Sequence, residues 1–539
     1  VMDGDGGVTS EGYEAETGYR FSDRRGSYEE VFKNRYPLGE GLRGGLGWTY
    51  DYVSAILGFV ATEIGYLSQP GKTMGLAPYG APSPELAEPW IESQGFKLDF
   101  APFHEWLEAA GHSERLRFDS RERALIQSEA QISRQAKDLA WKVQHELEEA
   151  ALHLARELHA ATGAKQLCLA GGVALNSVAN GRIAREGPFE EVFVQPAADD
   201  RGQAIGLAYQ GYLKLQAARD APEVAPIAHA YGGKRYPDKA CKLLLKRAML
   251  SYRELKGPTL AREAAAKLAA GQIVAWFQGG SELGPRALGH RSILADPRQA
   301  DMKERLNARV KFRESFRPFA PSVLAERAAE VFELAGQSPY MLQVAPVREP
   351  WRARVPAIVH EDGTARVQTV TAASQPTYRA LIEAFAEQTG VPLLLNTSFN
   401  LRGEPIVESP EDALRTFCYT EIDVLYLGPY EVKAPASSRV FPRLATGWEL
   451  VVENRIDRGD PRLKVWFEEA ESAKKVPVRP LPELVALVTA LDGKRSLQEA
   501  MQVALEGTPA PDVAKACERF VRLMLRSGPL ALRVGDLDL

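Results

Sequence analysis

The densest group of residues that could do chemistry lies between positions 284 and 317. It holds nine basic and four acidic side chains, in a chain of 539 residues whose formal net charge is −5. Guanidinium groups bind phosphate through paired hydrogen bonds, and a lysine adds a compact charge. A solvated basic helix would explain 298–309, but not Arg286 in a Gly-Pro turn or Arg317 among aromatic residues. The pattern favours a polyanion site.

Two further groups of small or polar residues could contact a ligand. Asn396 and Ser398 follow a strand of leucines, where they could bind a ligand or simply form a loop with local hydrogen bonds. Gly171, Gly172 and Gly202 stand where predicted strands turn into helices, a position that lets phosphate approach the backbone. Two such turns in consecutive units favour a nucleotide site.

Some acidic and histidine residues could serve as ligands. Asp3, Asp199 and Asp200 are candidates for a hard cation, because carboxylates at sheet ends are typical of such sites. Acidic loop residues without a metal are equally ordinary. The histidines show no metal-binding spacing, but His290 and His360 lie in polar motifs and are candidates for ligand contact.

The elements that must position these residues follow an α/β pattern. Apolar residues at spacings of three and four predict a helix over 132–161, which Gly163 would end. Strands at 166–169 and 191–196 alternate with helices, and such sheets bind ligands at the strands' carboxyl ends. A helix near 238–248 precedes a second domain, which begins near position 258 with a helix (260–270) and a strand (272–277).

The end of the chain has a different character. Strands are predicted at 448–453 and 463–468, helices at 484–491, 497–505 and 512–526, and a last strand at 530–534. Ser496 and Glu499 would form a capping box for the middle helix. This order suggests a small winged-helix-like module.

Composition excludes several classes of protein. With 45% hydrophobic and 25% charged residues, the chain is typical of a soluble globular protein with three or four domains. Its charge argues against a nucleic-acid-coating surface, and no apolar run predicts a membrane span. Four widely separated cysteines indicate reduced thiols in a cytoplasmic protein. Because the chain starts at Val1 without an initiator Met, we expect the first domain to be incomplete.

Several long motifs together resemble the O-carbamoyltransferase family, whose members modify antibiotics such as tobramycin and cephamycin, and nodulation factors. The resemblance spans about residues 1–440. Its motifs read KTMGLAPYG (72–80), LAGGVALN (169–176), GPRALGHRS (284–292), FRPFAPS (316–322), HEDGTARVQ (360–368) and NTSFN (396–400).

The resemblance implies a two-domain machine. Residues 1–220 would form an actin/Hsp70/sugar-kinase-like (ASKHA) domain, incomplete at its amino end, and 221–257 a linker. Residues 258–445 would form an α+β YrdC-like domain that makes carbamoyl adenylate from carbamoyl phosphate and ATP. The first domain would then transfer the carbamoyl group to a hydroxyl of a small acceptor with the help of an iron-type metal, with Mg²⁺ accompanying ATP.

The resemblance also assigns roles to residues. Lys311, Arg286 and Arg317 would hold the phosphates, Asn396 and Ser398 would complete that pocket, and Arg291 and His360 would lie nearby. A second nucleotide site would be lined by Gly171, Gly172, Asn176 and Gly202. The metal ligands would be Asp3 and Asp200, with two family histidines expected in a segment preceding this chain.

Three alternatives remain open at this point. The acceptor could be a peptide or protein, or the chain could be a non-catalytic ligand-binding homologue. Residues 446–539 exceed the usual family length, and we expect them to form an accessory module for recognition or docking, or for a homodimer.

Overall fold

We analysed a computed structural model of the chain. The residues that it describes are 1–2, 8–9, 12–21, 28–37, 43–61, 67–112, 124–126, 132–217, 229–401, 403–434, 440–444, 448–457, 460–469, 475–478, 482–505, 513, 516–517, 520–521, 524–525, 530–534 and 537–538.

The first unit combines small sheets with helices. Its strands are β1 (Val8–Thr9), β2 (Gly12–Phe21), β3 (Tyr28–Tyr36), β4 (Val60–Ala61), β5 (Leu67–Ser68), β6 (Glu92–Gln94), β7 (Lys97–Asp99), β8 (Gln166–Leu169) and β9 (Glu191–Val194). Its helices are α1 (Leu46–Leu57), α2 (Pro70–Leu76), α3 (Ala101–Ala109), α4 (Arg134–Thr162), α5 (Ser177–Glu186) and α6 (Gln203–Ala217).

Helix α4 is the central support of this unit, and its prediction from sequence is confirmed. The Ser133 hydroxyl caps its start by accepting from the Ala136 amide, and Gly163 ends it in the left-handed conformation. Leu139, Val143 and Leu147 lie on its buried face and pack into the hydrophobic core of the first unit.

The predicted strand–turn–helix repeat is also confirmed. Strands β8 and β9 pair in parallel, and each leads through a short 3₁₀ turn, Gly172–Leu175 or Asp200–Gly202, into α5 or α6.

The second unit is built on a nine-stranded mixed sheet. Its strands are β10 (Tyr252–Glu254), β11 (Val274–Phe277), β12 (Arg291–Ala295), β13 (Ala320–Leu324), β14 (Gln343–Pro346), β15 (Thr364–Val370), β16 (Leu393–Ser398), β17 (Val424–Leu427) and β18 (Tyr430–Lys433), in the order β10-β18-β17-β11-β12-β16-β13-β15-β14. Its helices are α7 (Asp238–Arg247), α8 (Pro258–Ala269), α9 (Met302–Leu306), α10 (Ala328–Val331), α11 (Glu349–Arg352), α12 (Pro376–Thr389) and α13 (Pro410–Tyr419).

The second unit departs from the sequence expectations at three places. Strand β10, inside the predicted 221–257 linker, pairs with β18 and so belongs to the sheet. The basic segment expected to be one helix over 298–309 is the short α9, followed by a π-helical turn at Asn307–Lys311. Strand β16 runs on to Ser398, because its polar end pairs with β12, so Asn396 lies within the strand instead of after it.

The carboxyl-terminal part contains the predicted strands and helices. The strands are β19 (Val440–Leu444), β20 (Trp448–Asp457), β21 (Asp460–Glu469), β22 (Lys475–Val478), β23 (Leu530–Val534) and β24 (Leu537–Asp538), and the helices are α14 (Pro482–Ala490) and α15 (Leu497–Ala504). The predicted capping box of Ser496 and Glu499 starts α15. Of the predicted helix 512–526, the described residues are helical. Buried Leu487 and Met501 continue the hydrophobic core of the second unit.

Helix α5 of the first unit packs on edge strand β14 of the second. The side-chain amide of Asn180 donates to the Leu342 carbonyl at 3.0 Å, and Arg185 donates to the Val344 carbonyl at 2.6 Å. A β-carbon at Gly181 would come within 2.1 Å of the Val344 oxygen, so only glycine allows this approach. The contact fixes one unit against the other. In the described part of the chain, no helix is both long and apolar enough to cross a membrane.

Candidate functional site

A cavity of about 540 Å³ lies between the two units. The first unit supplies α2, α4 and α5 as one wall, and the second supplies the loops around Arg286, Arg317 and His360 as the other. Among its lining residues are Tyr79, Trp141, Glu148, Arg182, Arg286, Lys303, Arg313, Arg317, His360 and Arg366. Three residues predicted from sequence, Arg286, Arg317 and His360, are therefore brought to one cavity.

Arg286 is presented by the loop that joins β11 to β12. Gly284 in this loop has φ of 92°, and a β-carbon there would come within 2.1 Å of the Pro196 carbonyl oxygen of the first unit. The loop therefore reaches the first unit because glycine allows both the backbone conformation and the close contact.

The second-unit wall holds a cluster of cations with few counter-charges. Burial and the neighbouring Arg317 lower the pKa of Arg286 to about 10, and burial and Arg317 lower that of Arg313 to about 9. Burial, with repulsion from Arg286 and Arg313, lowers the pKa of Arg366 far below its ordinary value. Within the described ranges, no carboxylate forms an ion pair with Arg286, Arg313 or Arg366. The buried Nε atoms of Arg286 and Arg366 have no hydrogen-bond partner there. Such a cluster suits an anion with several negative charges.

Arg317 differs because Glu314 lies beside it. The Glu314 carboxylate is 3.7 Å from the Arg317 guanidinium and 2.8 Å from the Lys72 ammonium of α2. Although burial opposes the shift, the hydrogen bond from Lys72 lowers the pKa of Glu314. This ion pair connects the first unit to the cation cluster.

His360 is neutral near pH 7. Burial lowers its pKa to about 4, and Arg366 and Lys303 disfavour a further positive charge. Its Nδ1 lies 3.2 Å from the Thr364 hydroxyl, and its buried Nε2 has no hydrogen-bond partner among the described residues. A neutral imidazole at the cavity wall can exchange a hydrogen bond with a ligand without adding charge.

Lys311 and Ser398 meet as predicted, but they do not line the cavity. The buried Lys311 ammonium donates to the Ser398 carbonyl, to the Ser398 hydroxyl at 3.1 Å, and to Asn400 Oδ1 at 2.8 Å. Burial and repulsion from Arg313 and Arg317 lower its pKa well below the ordinary value. Lys311 thus lies behind the arginine cluster, close enough for the positive charges of Arg313 and Arg317 to act on its ammonium group.

Asn396 belongs to a buried polar cluster at the back of the Arg286 loop. Its amide donates to the Ser322 hydroxyl at 2.9 Å and to the Ala287 carbonyl at 3.2 Å. The buried Tyr378 hydroxyl lies beside Ser322 and Asn396, and hydrogen bonds with these two side chains oppose the rise that burial causes in its pKa.

Arg291 is not brought to the cavity. It is fully buried, lies over the Phe277 ring at 3.6 Å, and donates to the carbonyls of Gln278 (2.7 Å) and Gly279 (3.3 Å). Backbone carbonyls accept from both terminal nitrogens of Arg291, whereas its buried Nε has no hydrogen-bond partner among the described residues. A ligand contact by Arg291 stays a prediction, and it would have to be made outside this cavity.

The residues predicted for a second nucleotide site also lie outside this cavity. Asn176 caps α5 by accepting from the Ala179 amide, and its own amide donates to Gln144. A β-carbon at Gly171 would meet the Met2 carbonyl at 2.0 Å, and one at Gly202 would meet the Ala197 carbonyl at 2.1 Å. Packing accounts for these two glycines. A nucleotide site at these residues and the adjacent Gly172 stays a prediction.

The predicted metal site cannot be assembled from the residues described. Asp3 lies outside them, and Asp200 accepts a hydrogen bond from the Gln203 amide at 3.0 Å. Neighbouring Asp199 pairs with Arg201. In the part of the chain that the structure describes, no three His, Cys, Asp or Glu residues lie together as a metal site. Because Asp3 lies outside the described residues, a metal at Asp3 and Asp200 stays a prediction.

Sequence reasoning missed Arg313, Arg366 and Lys303 as cavity residues. Arg313 and Lys303 belong to the basic run, and Arg366 lies in the HEDGTARVQ motif, so their charges were visible. What the sequence does not show is that β15 carries Arg366 to the same wall as Arg286.

Comparison with known proteins identifies the class. Residues 1–209 match the family described as carbamoyltransferase N-terminus, and residues 265–434 match carbamoyltransferase C-terminus. The chain is 39% identical to nodulation protein NolO of Bradyrhizobium diazoefficiens over 454 residues, which are 80% of this chain and 79% of that protein. The chain belongs to the carbamoyltransferase family, a family of enzymes, as the sequence resemblance predicted.

Other relatives match over a smaller share of their length. Nodulation protein NolNO of Sinorhizobium fredii is 42% identical over 384 residues, 69% of this chain and 54% of the relative. Nodulation protein U of Azorhizobium caulinodans is 40% identical over 271 residues, 48% of this chain and 42% of the relative.

Proposed function

We propose that the chain makes carbamoyl adenylate from carbamoyl phosphate and ATP and transfers its carbamoyl group to a hydroxyl of a small-molecule acceptor. The observation that carries this proposal is the cluster of Arg286, Arg313 and Arg366 on one cavity wall without paired carboxylates in the described chain. Both co-substrates bring several negative charges, which would compensate the buried cations.

The first reaction balances when one water is consumed. Water splits carbamoyl phosphate into carbamate and phosphate, and a carbamate oxygen then attacks the α-phosphorus of ATP. The bond from that phosphorus to pyrophosphate breaks, giving carbamoyl adenylate. Each step concentrates negative charge, and fixed cations such as Arg286 and Arg317 stabilise that charge without having to reorganise.

The second reaction moves the carbamoyl group. The acceptor oxygen forms a bond to the carbamoyl carbon, the bond from that carbon to the AMP oxygen breaks, and the hydroxyl proton passes to water. The cavity touches both units, which supports a shared space for adenylate formation and transfer. A metal at Asp3 and Asp200 stays a prediction and supplies no step here.

Pyrophosphate release tests the first reaction. Purified protein with ATP and carbamoyl phosphate should release pyrophosphate, whereas either substrate alone should give none. A protein that binds both substrates without releasing pyrophosphate would overturn the proposal in favour of a binding role. If pyrophosphate is released, mass spectrometry for a gain of one carbamoyl group on candidate acceptors separates small-molecule from peptide acceptors.

Lys311→Ala should abolish that release. The variant removes the ammonium behind the arginine cluster and takes one hydrogen bond each from the Ser398 hydroxyl and from Asn400 Oδ1, which still accepts from the Ser398 hydroxyl at 2.7 Å. Lys311→Arg is the matched control, since it keeps a positive charge and should recover part of the activity. Full activity in Lys311→Ala with unchanged folding would remove Lys311 from the site.

A further inference from the structure

Glu282 joins the two ends of the loop that carries Arg286. Its Oε1 accepts hydrogen bonds from three backbone amides, those of Leu288 at 2.8 Å, His290 at 2.8 Å and Arg291 at 3.0 Å. Glu282 precedes Arg286 in the chain, and the three amides follow it. The Glu282 side chain therefore links the segment before Arg286 to the segment after it.

Three amides on one carboxylate oxygen make a strong anchor. Hydrogen bonds to an ionised acceptor are shorter and stronger than neutral ones, and buried amides that lose their acceptor are costly. Glu282 Oε2 is buried and has no hydrogen-bond partner among the described residues, so all the described hydrogen bonds of this carboxylate go to the loop backbone.

Other contacts also hold the loop. Nearer to the strands, His290 Nδ1 lies 2.7 Å from the Gly280 carbonyl, and the Gln278 amide donates to the His290 carbonyl at 2.9 Å.

Two further contacts lie closer to Arg286. The Leu283 amide donates to the Ala230 carbonyl at 2.6 Å, and the Asn396 amide donates to the Ala287 carbonyl at 3.2 Å. These two contacts each join one position of the loop to a neighbour. Glu282 closes the short segment 283–287 around Arg286, inside the closure that His290 makes with Gly280. The direction in which Arg286 leaves the backbone therefore depends on Glu282.

We infer that Glu282 is a positioning residue for Arg286, which it holds at the cavity wall for a phosphorylated ligand. The inference rests on the proposed function in naming carbamoyl phosphate as that ligand. The inference goes beyond the proposed function because it assigns the orientation of Arg286 to a carboxylate that does not line the cavity.

A double-mutant cycle tests this inference. Glu282→Ala should raise the KM for carbamoyl phosphate about 30-fold. Because Glu282 acts through Arg286, the same substitution in an Arg286→Ala background should change that KM less than about twofold. An equal effect in both backgrounds, or none in the first, would overturn the inference.

Two further variants separate positioning from general stability. Glu282→Gln keeps an oxygen acceptor and should recover most of the loss in KM, leaving a rise below about fivefold. Glu146 is the matched control, because its carboxylate also accepts from two backbone amides, Trp90 and Ile91, both at 3.1 Å, but in the first unit. Glu146→Ala should lower the melting temperature without changing the KM for carbamoyl phosphate.

A probe independent of catalysis keeps the two proposals distinguishable. Hydrogen exchange at the amides of Leu288, His290 and Arg291 should accelerate in Glu282→Ala and not in Glu146→Ala. The double-mutant cycle of Glu282→Ala and Arg286→Ala is also measured by calorimetry on the dissociation constant for inorganic phosphate. Glu282→Ala should weaken phosphate binding in the wild-type background and not in the Arg286→Ala background. A wild-type protein that releases no pyrophosphate but shows both effects would refute the proposed function and retain the positioning role. Unchanged exchange and additive phosphate binding would refute the positioning role.

Discussion

The arginines on the two walls of the cavity differ in their ion pairing. On the first-unit wall, Arg182 lies 2.6 Å from Glu149, 3.0 Å from Glu186 and 3.6 Å from Glu148. Although burial opposes the shift, the hydrogen bonds that Arg182 donates to Glu149 and Glu186 raise its pKa.

On the second-unit wall, the pKa values move the other way. Burial and like-charged neighbours lower those of Arg286, Arg313 and Arg366. Arg182 therefore has carboxylate partners on its own wall, whereas its neighbour Arg185 donates to the Val344 carbonyl and has its pKa lowered by burial. The second wall's Arg286, Arg313 and Arg366 form no ion pair with a carboxylate among the described residues. The difference teaches that the number of cations in a cavity says less about ligand binding than the number left without a partner.

The largest expected effect is on the wall without counter-charges. Arg366→Met should lower kcat/KM for pyrophosphate release at least about 100-fold, or about 3 kcal/mol of transition-state stabilisation. The melting temperature should stay equal or rise, because the substitution removes repulsion with Arg286 and Arg313. Steady-state kinetics and calorimetry measure both quantities. A fall in melting temperature with normal kinetics would mean that Arg366 is structural.

His360 gives a smaller effect, visible in the pH dependence of stability. Burial lowers its folded pKa to about 4, against about 6.5 in an unfolded chain. The unfolded state therefore binds more protons between these values, and stability present above pH 6.5 is lost as the pH falls towards 4. At pH 5 the loss should be about 2 kcal/mol.

Urea unfolding at pH 7 and pH 5 measures this loss. His360→Asn is the control, because it removes the titrating group and should flatten the pH dependence by the same amount. An unchanged slope in the variant would show that His360 is not the group responsible.

The sequence predicted the elements better than the site. Helix α4, the β8/β9 repeat and the capping box of Ser496 follow from periodicity and local caps, which act over a few residues. The cations Arg286 and Arg317 followed from charge density. The burial of Arg291 and the arrival of Arg366 could not be predicted, because both depend on strand pairing between distant segments.

The smallest expected effect is on the paired wall. Arg182→Met should lower the free energy of unfolding by about 1 kcal/mol, because Glu148 and its neighbours lose their counter-ion while the cavity keeps its unpaired cations. Burial already raises the pKa of Glu148, so the variant should raise it further, and the loss of stability should shrink as the pH falls and Glu148 is protonated. Urea unfolding at pH 7 and pH 5 measures this loss of stability, with Arg156→Met as a control outside the cavity lining.

For Arg182→Met, we expect kcat/KM for pyrophosphate release to change less than about threefold. A loss as large as that of Arg366→Met would show that both walls hold the ligand, because a cation already paired with three carboxylates would then still be needed by the substrate.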